Sequence, residues 1–160
     1  MTHPFDMLNL TTGKLIFTPC PGTKGTDVAN SIAQLKTAGA AAVITLMPDT
    51  ELSQNNAENV GAICEEFGLQ WFQLPIADDC APAALFEQGY ANHKAAILSL
   101  LQADNTVAIH CKGGSGRTGL MAAILMAELG YSKADATAEV QSLRPKALCH
   151  PVHQAYFAAL

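Results

Sequence analysis

Short runs of apolar and β-branched residues alternate along the chain with longer, alanine-rich stretches of helical periodicity. The short runs predict strands at residues 15–18, 42–46, 70–74 and 106–110. The longer stretches predict helices at residues 27–38, 58–67, 82–102, 118–129, 133–143 and 151–160. Such alternation is typical of an α/β fold. We therefore predict a mainly parallel central sheet of about four to five strands flanked by helices, with no strand after residue 117.

The composition is that of one folded domain. The chain has 160 residues, of which 49% are hydrophobic and 14% charged, whereas a disordered chain shows the opposite balance. No repeat, linker or low-complexity segment divides it, so we treat residues 1–160 as a single domain. The formal net charge of −5 argues against nucleic acid as a partner, because nucleic-acid-binding domains present basic surfaces.

The distribution of apolar residues and cysteines bears on where the protein resides. The longest apolar stretch, residues 38–47, is shorter than the roughly 20 residues that a membrane span needs, and the N-terminus lacks the pattern of a signal peptide. The five cysteines are odd in number and include no CxxC pair, unlike an extracellular disulfide framework. We expect reduced thiols in a cytoplasmic protein without a membrane partner.

One glycine-rich segment lies between the last predicted strand and the helix that follows it. It reads HCKGGSGRTG over residues 110–119. A loop in this position directs successive backbone N–H groups into one concavity at a helix N-terminus, where partial positive charge accumulates. Its glycines permit the close approach of a ligand. The segment therefore predicts a phosphate-binding loop formed by Lys112, Gly113, Gly114, Ser115, Gly116 and Arg117.

Two side chains would make this loop reactive. Cys111 follows the strand directly, where N–H dipoles and the helix terminus favour a thiolate. Arg117 can grip two phosphate oxygens with its planar guanidinium. A thiolate beside a held phosphate allows in-line attack on phosphorus and a phosphocysteine intermediate. Thr118 can offer its hydroxyl to the sulfur and ease its departure in a second step.

The segment HCKGGSGRTG resembles the Cys-x5-Arg signature of the protein tyrosine phosphatase superfamily, in its compact dual-specificity branch. The resemblance extends over roughly residues 21–144. The run LPIAD at residues 74–78 is similar to that of the cyclin-dependent-kinase-associated phosphatases and their bacterial relatives. The resemblance implies a phosphatase fold and a phosphomonoesterase activity of the protein tyrosine or dual-specificity type.

The resemblance also implies roles for residues outside the loop. Asp78 corresponds to the general acid/base, carried on a mobile segment that closes over the phosphate. His110 corresponds to a residue that orients the loop through hydrogen bonds. The family has a glutamine that positions the hydrolytic water, and its place falls nearest His153 by spacing, with Gln154 one residue later.

Substrate and cofactor expectations follow from the same resemblance. The chain lacks the extra length that builds a deep phosphotyrosine cleft, so a shallow pocket would admit a phosphorylated protein or a small phosphomonoester. Lipid substrates are disfavoured, because Ser115 stands where phosphoinositide-selective relatives have a second basic residue. The family uses no metal ion or organic cofactor.

Two neighbours of the proposed acid have other expected roles. Asp79 is the rival candidate for the acid, but it lies ahead of the proline-initiated helix and is expected to form local turn hydrogen bonds. Cys80 is expected to be a small buried side chain, with a disulfide to Cys111 under mild oxidation as the alternative.

Other classes of protein share parts of the pattern. A non-catalytic phosphate-binding module would use the same loop, although such modules commonly lack the nucleophile, the arginine or the acid. A cysteine-based arsenate reductase or sulfurtransferase would need a resolving thiol, such as Cys80 or Cys149, beside Cys111. A dinucleotide site at residues 114–119 would need a following strand, and the acidic residue at the expected distance, Glu139, lies in a helical stretch. The candidate zinc ligands, which include His110 and Cys111, lack the usual spacing.

Overall fold

A central sheet organises the protein, which the computed structural model describes over residues 2–160. Its strands are β1 (Asp6–Asn9), β2 (Lys14–Thr18), β3 (Ala40–Thr45), β4 (Gln70–Gln73) and β5 (Thr106–His110). Their spatial order is β1-β2-β5-β3-β4. Only β1 pairs antiparallel with its neighbour, whereas the other three pairings of the described residues are parallel. The predicted α/β fold with a mainly parallel sheet is confirmed.

Helices cover both faces of the sheet. Along residues 2–160 they are α1 (Val28–Thr37), α2 (Asp49–Gln54), α3 (Val60–Glu66), α4 (Ala84–Gln102), α5 (Gly116–Glu128), α6 (Lys133–Leu143) and α7 (Pro151–Ala158). The side chains of α1, α2 and α3 pack on one face of the sheet, and those of α4 to α7 on the other. The predicted absence of strands after residue 117 is confirmed for the described residues.

Strand β5 is the best-buried strand, and it lies between β2 and β3. Its residues alternate between the two cores: Val107 and Ile109 face α4 and α5, whereas Ala108 faces α1 and α3. Helix α5 follows the loop after β5 and is buried from Arg117 to Met126. A helix that is apolar on all sides belongs inside a protein. The loop between β5 and α5 is therefore held at both ends by buried elements.

Three elements differ from the sequence prediction. Strand β1 has only one buried residue, Leu8, and aspartate and asparagine are poor strand formers, so its pattern gave no signal. Helix α2 has six residues, of which only Leu52 is buried, too few to show a helical period. Helix α4 begins at Ala84, so Pro82 precedes the helix and does not lie in its first turn as predicted.

The segment between α6 and α7 packs tightly on α5. A Cβ atom added at Gly119 would lie 2.4 Å from the Cβ of Ala147, closer than two carbon atoms can approach without a shift of the backbone. This close packing places the residues around 144–150 beside the start of α5.

No helix among residues 2–160 is both long and apolar enough to cross a membrane.

Candidate active site

The thiol of Cys111 lies inside the loop between β5 and α5. Its Sγ accepts hydrogen bonds from the backbone N–H of Gly114 and from the hydroxyl of Thr118, each at 3.2 Å. Gly114 has φ of +80°, and a Cβ at this position would lie 2.7 Å from the carbonyl carbon of Thr18. Only glycine meets both demands. The loop thus surrounds the sulfur with donors.

Arginine 117 is buried beneath the loop and is held by a carboxylate that the sequence did not single out. Its Nη1 and Nη2 donate to the two carboxylate oxygens of Glu51, both at 2.7 Å. Nη1 also donates to the carbonyl of Ile76 at 2.9 Å. Burial alone would lower the pKa of Arg117, but the hydrogen bonds and negative charge of Glu51, with Cys111 and Asp78, raise it. The guanidinium is therefore fixed in both charge and orientation.

The bonds to Glu51 leave one edge of the guanidinium for a ligand. Both N–H groups of Nη1 and one of Nη2 are used by Glu51 and Ile76. None of the described residues accepts from Nε of Arg117, and Nε and the remaining N–H of Nη2 lie on the same edge. Such an edge can donate two parallel hydrogen bonds to a phosphate.

A second arginine supports the loop from outside. Nε of Arg144 donates to the carbonyl of Gly114 at 3.0 Å, and its Nη1 pairs with Asp6 at 2.6 Å. Its Nη2 donates to the carbonyl of Phe17. Arg144 thereby links the end of α6 to the loop and to β1 and β2, and it contributes to rigidity without lining the cavity.

The two neighbouring aspartates after β4 have different surroundings. Asp78 is 65% exposed, and its Oδ1 lies 3.4 Å from Nη2 of Arg117. Asp79 is 83% exposed, adopts φ of +59°, and has its Oδ1 3.8 Å from Nε2 of His150. The backbone N–H of Asp79 donates to the carboxylate of Asp78 at 3.1 Å. Only Asp78 approaches the arginine, whereas Asp79 forms the turn.

Histidine 110 anchors the start of the loop from the opposite face of the sheet. Its Nδ1 lies 3.0 Å from the carbonyl of Cys111, which can only accept, so Nδ1 carries the proton. Its Nε2 then accepts from the hydroxyl of Thr45 at 2.7 Å, and Thr45 in turn accepts from Nε1 of Trp71. Burial lowers the pKa of His110 to about 4, so the ring is neutral near pH 7.

Only one of the two candidates for positioning water reaches this site. His153 is buried and lines the same cavity as Cys111, whereas Gln154 is exposed and lines a separate cavity. Nε2 of His153 lies 3.0 Å from the carbonyl of Cys80 and therefore carries the proton. Its Nδ1 is buried and has no hydrogen-bond partner among the described residues. Burial also lowers the pKa of His153, so Nδ1 is available as an acceptor.

A cavity of about 640 Å³ joins these groups. Its lining includes Cys111, Arg117, the two aspartates and His153. Cys80 and Cys149 are both exposed, so the expected burial of Cys80 was wrong. No group of three or more metal-ligating side chains is assembled within residues 2–160. The cavity thus combines a thiol, a guanidinium edge and carboxylates.

Comparison with protein families defines the class of this domain. The family model described as "Swiss Army Knife protein, DSP-PTPase phosphatase domain" matches residues 22–157. The chain therefore belongs to this family of dual-specificity phosphatase domains. Membership supports phosphatase activity on phosphorylated substrates. A search of the curated proteins gave no match to the sequence.

Solved structures share the fold over nearly the whole chain. A kinase associated phosphatase with serine in place of its catalytic site cysteine has a TM-score of 0.86 and 23% identity, covering 98% of this chain and 93% of that one. Tk-PTP in its active form has a TM-score of 0.72 and 25% identity, covering 96% and 95%. A protein tyrosine phosphatase, described as putative, from Leishmania major has a TM-score of 0.74 and 16% identity, covering 100% and 99%.

The low pKa of His110 predicts a loss of stability in acid. In the unfolded chain the ring takes up a proton as the pH falls through 6.5, whereas the folded ring resists protonation until about pH 4. Stability from this residue is therefore complete above pH 6.5 and is lost as the pH falls toward 4. The shift corresponds to about 3 kcal/mol.

Urea denaturation at pH 7.5 and 4.5 checks this prediction. The variant His110→Asn keeps a donor for the carbonyl of Cys111 but does not titrate. Between the two pH values the wild type should lose about 2–3 kcal/mol more stability than the variant. Equal losses of stability in both proteins would show that His110 takes up its proton in the native fold as readily as in the unfolded chain.

Proposed function

We propose that this domain is a phosphomonoesterase of the dual-specificity type and that its reaction passes through a phosphocysteine on Cys111. One observation carries the proposal: a thiol that accepts two hydrogen bonds shares a cavity with the Nε edge of the Arg117 guanidinium, which Glu51 leaves free and Asp78 approaches. A nucleophile and an anion clamp are thereby brought together. A non-catalytic phosphate-binding module would have no use for a sulfur atom held in this way.

In the first step the phosphoryl group of the substrate is transferred to Cys111. The backbone N–H groups of residues 112–117 and the Arg117 edge hold the three phosphate oxygens. The thiolate of Cys111 attacks phosphorus, the bond to the departing oxygen breaks, and protonated Asp78 gives its proton to that oxygen. The approach of Asp78 to Nη2 of Arg117 supports this assignment, because it directs a carboxyl toward the bound phosphate.

In the second step water releases phosphate from the enzyme. The Asp78 carboxylate takes a proton from the water, the new oxygen–phosphorus bond forms, and the sulfur leaves as thiolate. The Thr118 hydroxyl stabilises the departing sulfur, which already accepts its hydrogen bond at 3.2 Å. We assign the positioning of the water to His153, whose unpartnered Nδ1 can accept a hydrogen bond from it.

Every step of this mechanism is carried out by groups of the chain itself. The substrates are phosphorylated proteins or small phosphomonoesters.

The five cysteines are free, which fits a reducing compartment such as the cytoplasm.

Substitution of the two aspartates tests the acid. Asp78→Asn keeps size but cannot donate a proton, so kcat for a phosphotyrosine peptide should fall ~10²–10⁴-fold. For 4-nitrophenyl phosphate the loss should be much smaller, because its leaving group departs as a stable anion. Asp79→Asn is the matched control, since asparagine also tolerates a positive φ, and it should retain wild-type rates. A leaving-group-dependent loss in Asp79→Asn alone would move the acid to that residue.

Pre-steady-state kinetics of His153→Ala test the second step. With an aryl phosphate, the burst of aryl alcohol should persist while the steady-state rate falls roughly tenfold, the value of one hydrogen bond. His153→Gln should restore the rate, because an amide oxygen can accept the same hydrogen bond. A slower burst with an unchanged ratio of the two phases would place the residue in the first step.

A further inference from the structure

Lysine side chains from three separate segments line the cavity that holds Cys111. Lys24 lies between β2 and α1, Lys112 in the phosphate loop, and Lys146 between α6 and α7. All three are exposed, and none forms an ion pair or a hydrogen bond with another described residue. Their ammonium groups are therefore available to a ligand in the cavity.

The remaining cations of the chain are nearly all occupied. Arg117 and Arg144 are paired with carboxylates, and Lys94 pairs with Glu128. Lys36 and Lys133 donate to backbone carbonyls. Lys14, at the start of β2, is the one other lysine without an ion pair or hydrogen bond in residues 2–160, and it lies outside the cavity. In a chain of net charge −5, the unpaired positive charge is concentrated at one place.

The acidic groups of the cavity offset part of this charge. Asp78 and Asp79 are the carboxylates in its lining, and Glu51 is bound to Arg117. In the proposed first step Asp78 carries a proton and is neutral. A bound substrate therefore faces three lysines and Arg117, with Asp79 and the Cys111 thiolate as the negative groups, and the arginine is already assigned to the phosphate that reacts.

The cavity is built for a polar ligand. Its lining, within the described part of the chain, has the imidazoles of His150 and His153 as its rings and no phenylalanine, tyrosine or tryptophan, so it offers little apolar aromatic surface to an aryl group. Its volume of about 640 Å³ falls in the usual range of small-molecule sites, roughly 300–1,000 Å³. A single phosphate would leave much of it empty.

We infer that the substrate is a small, non-aromatic phosphomonoester with a second phosphate group, which Lys24 and Lys146 bind while the reacting phosphate occupies Arg117. The inference rests on the proposed function for the place of the reacting phosphate. Lys112, on the phosphate loop, lines the same cavity. Lys24 and Lys146 are therefore specificity residues that touch substrate without taking part in bond breaking.

Binding measured without turnover tests the second phosphate directly. The Cys111→Ser variant is titrated by calorimetry with glucose 6-phosphate and with glucose 1,6-bisphosphate at low ionic strength. The bisphosphate should bind at least tenfold more tightly, and added salt should reduce the difference. Adding Lys24→Gln and Lys146→Gln should remove most of that preference, whereas adding Lys14→Gln, the matched control, should leave it intact. Equal affinities for the two sugars, or the same loss with Lys14→Gln, would overturn the inference.

Phosphate release by the wild type distinguishes the sources of a second phosphate. The two sugar phosphates are compared with a doubly phosphorylated peptide and with phosphatidylcholine vesicles that contain a phosphatidylinositol bisphosphate. The sugar bisphosphate should have the highest kcat/KM. A higher value for the peptide or for the vesicles would overturn the assignment to a small molecule.

The second-phosphate inference and the proposed activity are overturned by different results. Hydrolysis of an aryl phosphate without discrimination between the sugars would overturn the second-phosphate inference alone. Tight, lysine-dependent binding of the bisphosphate without hydrolysis of any substrate would overturn the proposed activity alone.

Discussion

A guanidinium with 3% of its side chain exposed must be paired, and the whole arrangement of the cavity depends on how Arg117 meets that requirement. The Glu51 carboxylate binds Nη1 and Nη2 at the end of the guanidinium, which leaves the Nε edge for a ligand. The hydrogen bond from Nη1 to the carbonyl of Ile76 connects the guanidinium to the segment that carries Asp78. Removal of one partner from such a buried pair typically costs about 3–5 kcal/mol. The short helix α2 therefore matters for the site, because it carries Glu51.

The scaffold gives this pair a fixed frame. Strand β5 is buried at the middle of the sheet and α5 is buried along most of its length, so the loop between them has little freedom. His110 below the loop and Arg144 beside it each bond a carbonyl of the loop. These contacts keep the donors around Cys111 in place before a substrate arrives, which is the condition for electrostatic stabilisation of a transition state.

Site residues that are consecutive in one segment can be predicted from the sequence. Site residues that are brought together by contacts between distant segments cannot. The loop was predictable because its glycines, cysteine and arginine are consecutive in one segment. Glu51 lies 66 positions from Arg117, in a helix too short to show a period, and no pattern near it indicates a partner. His153 and Gln154 are adjacent in sequence, but one helical residue turns the side chain by about 100°, so only the fold shows which one enters the cavity.

We propose that phosphate passes through a covalent bond to Cys111, and rapid quenching followed by mass mapping tests this step most directly. The wild type is mixed with an aryl phosphate, stopped in acid within milliseconds and digested. We expect a phosphate on the peptide that contains Cys111, at an amount approaching one per active chain, and none in Cys111→Ala. Steady turnover without any phosphopeptide, or a phosphate found on His150 or His153 instead, would contradict it.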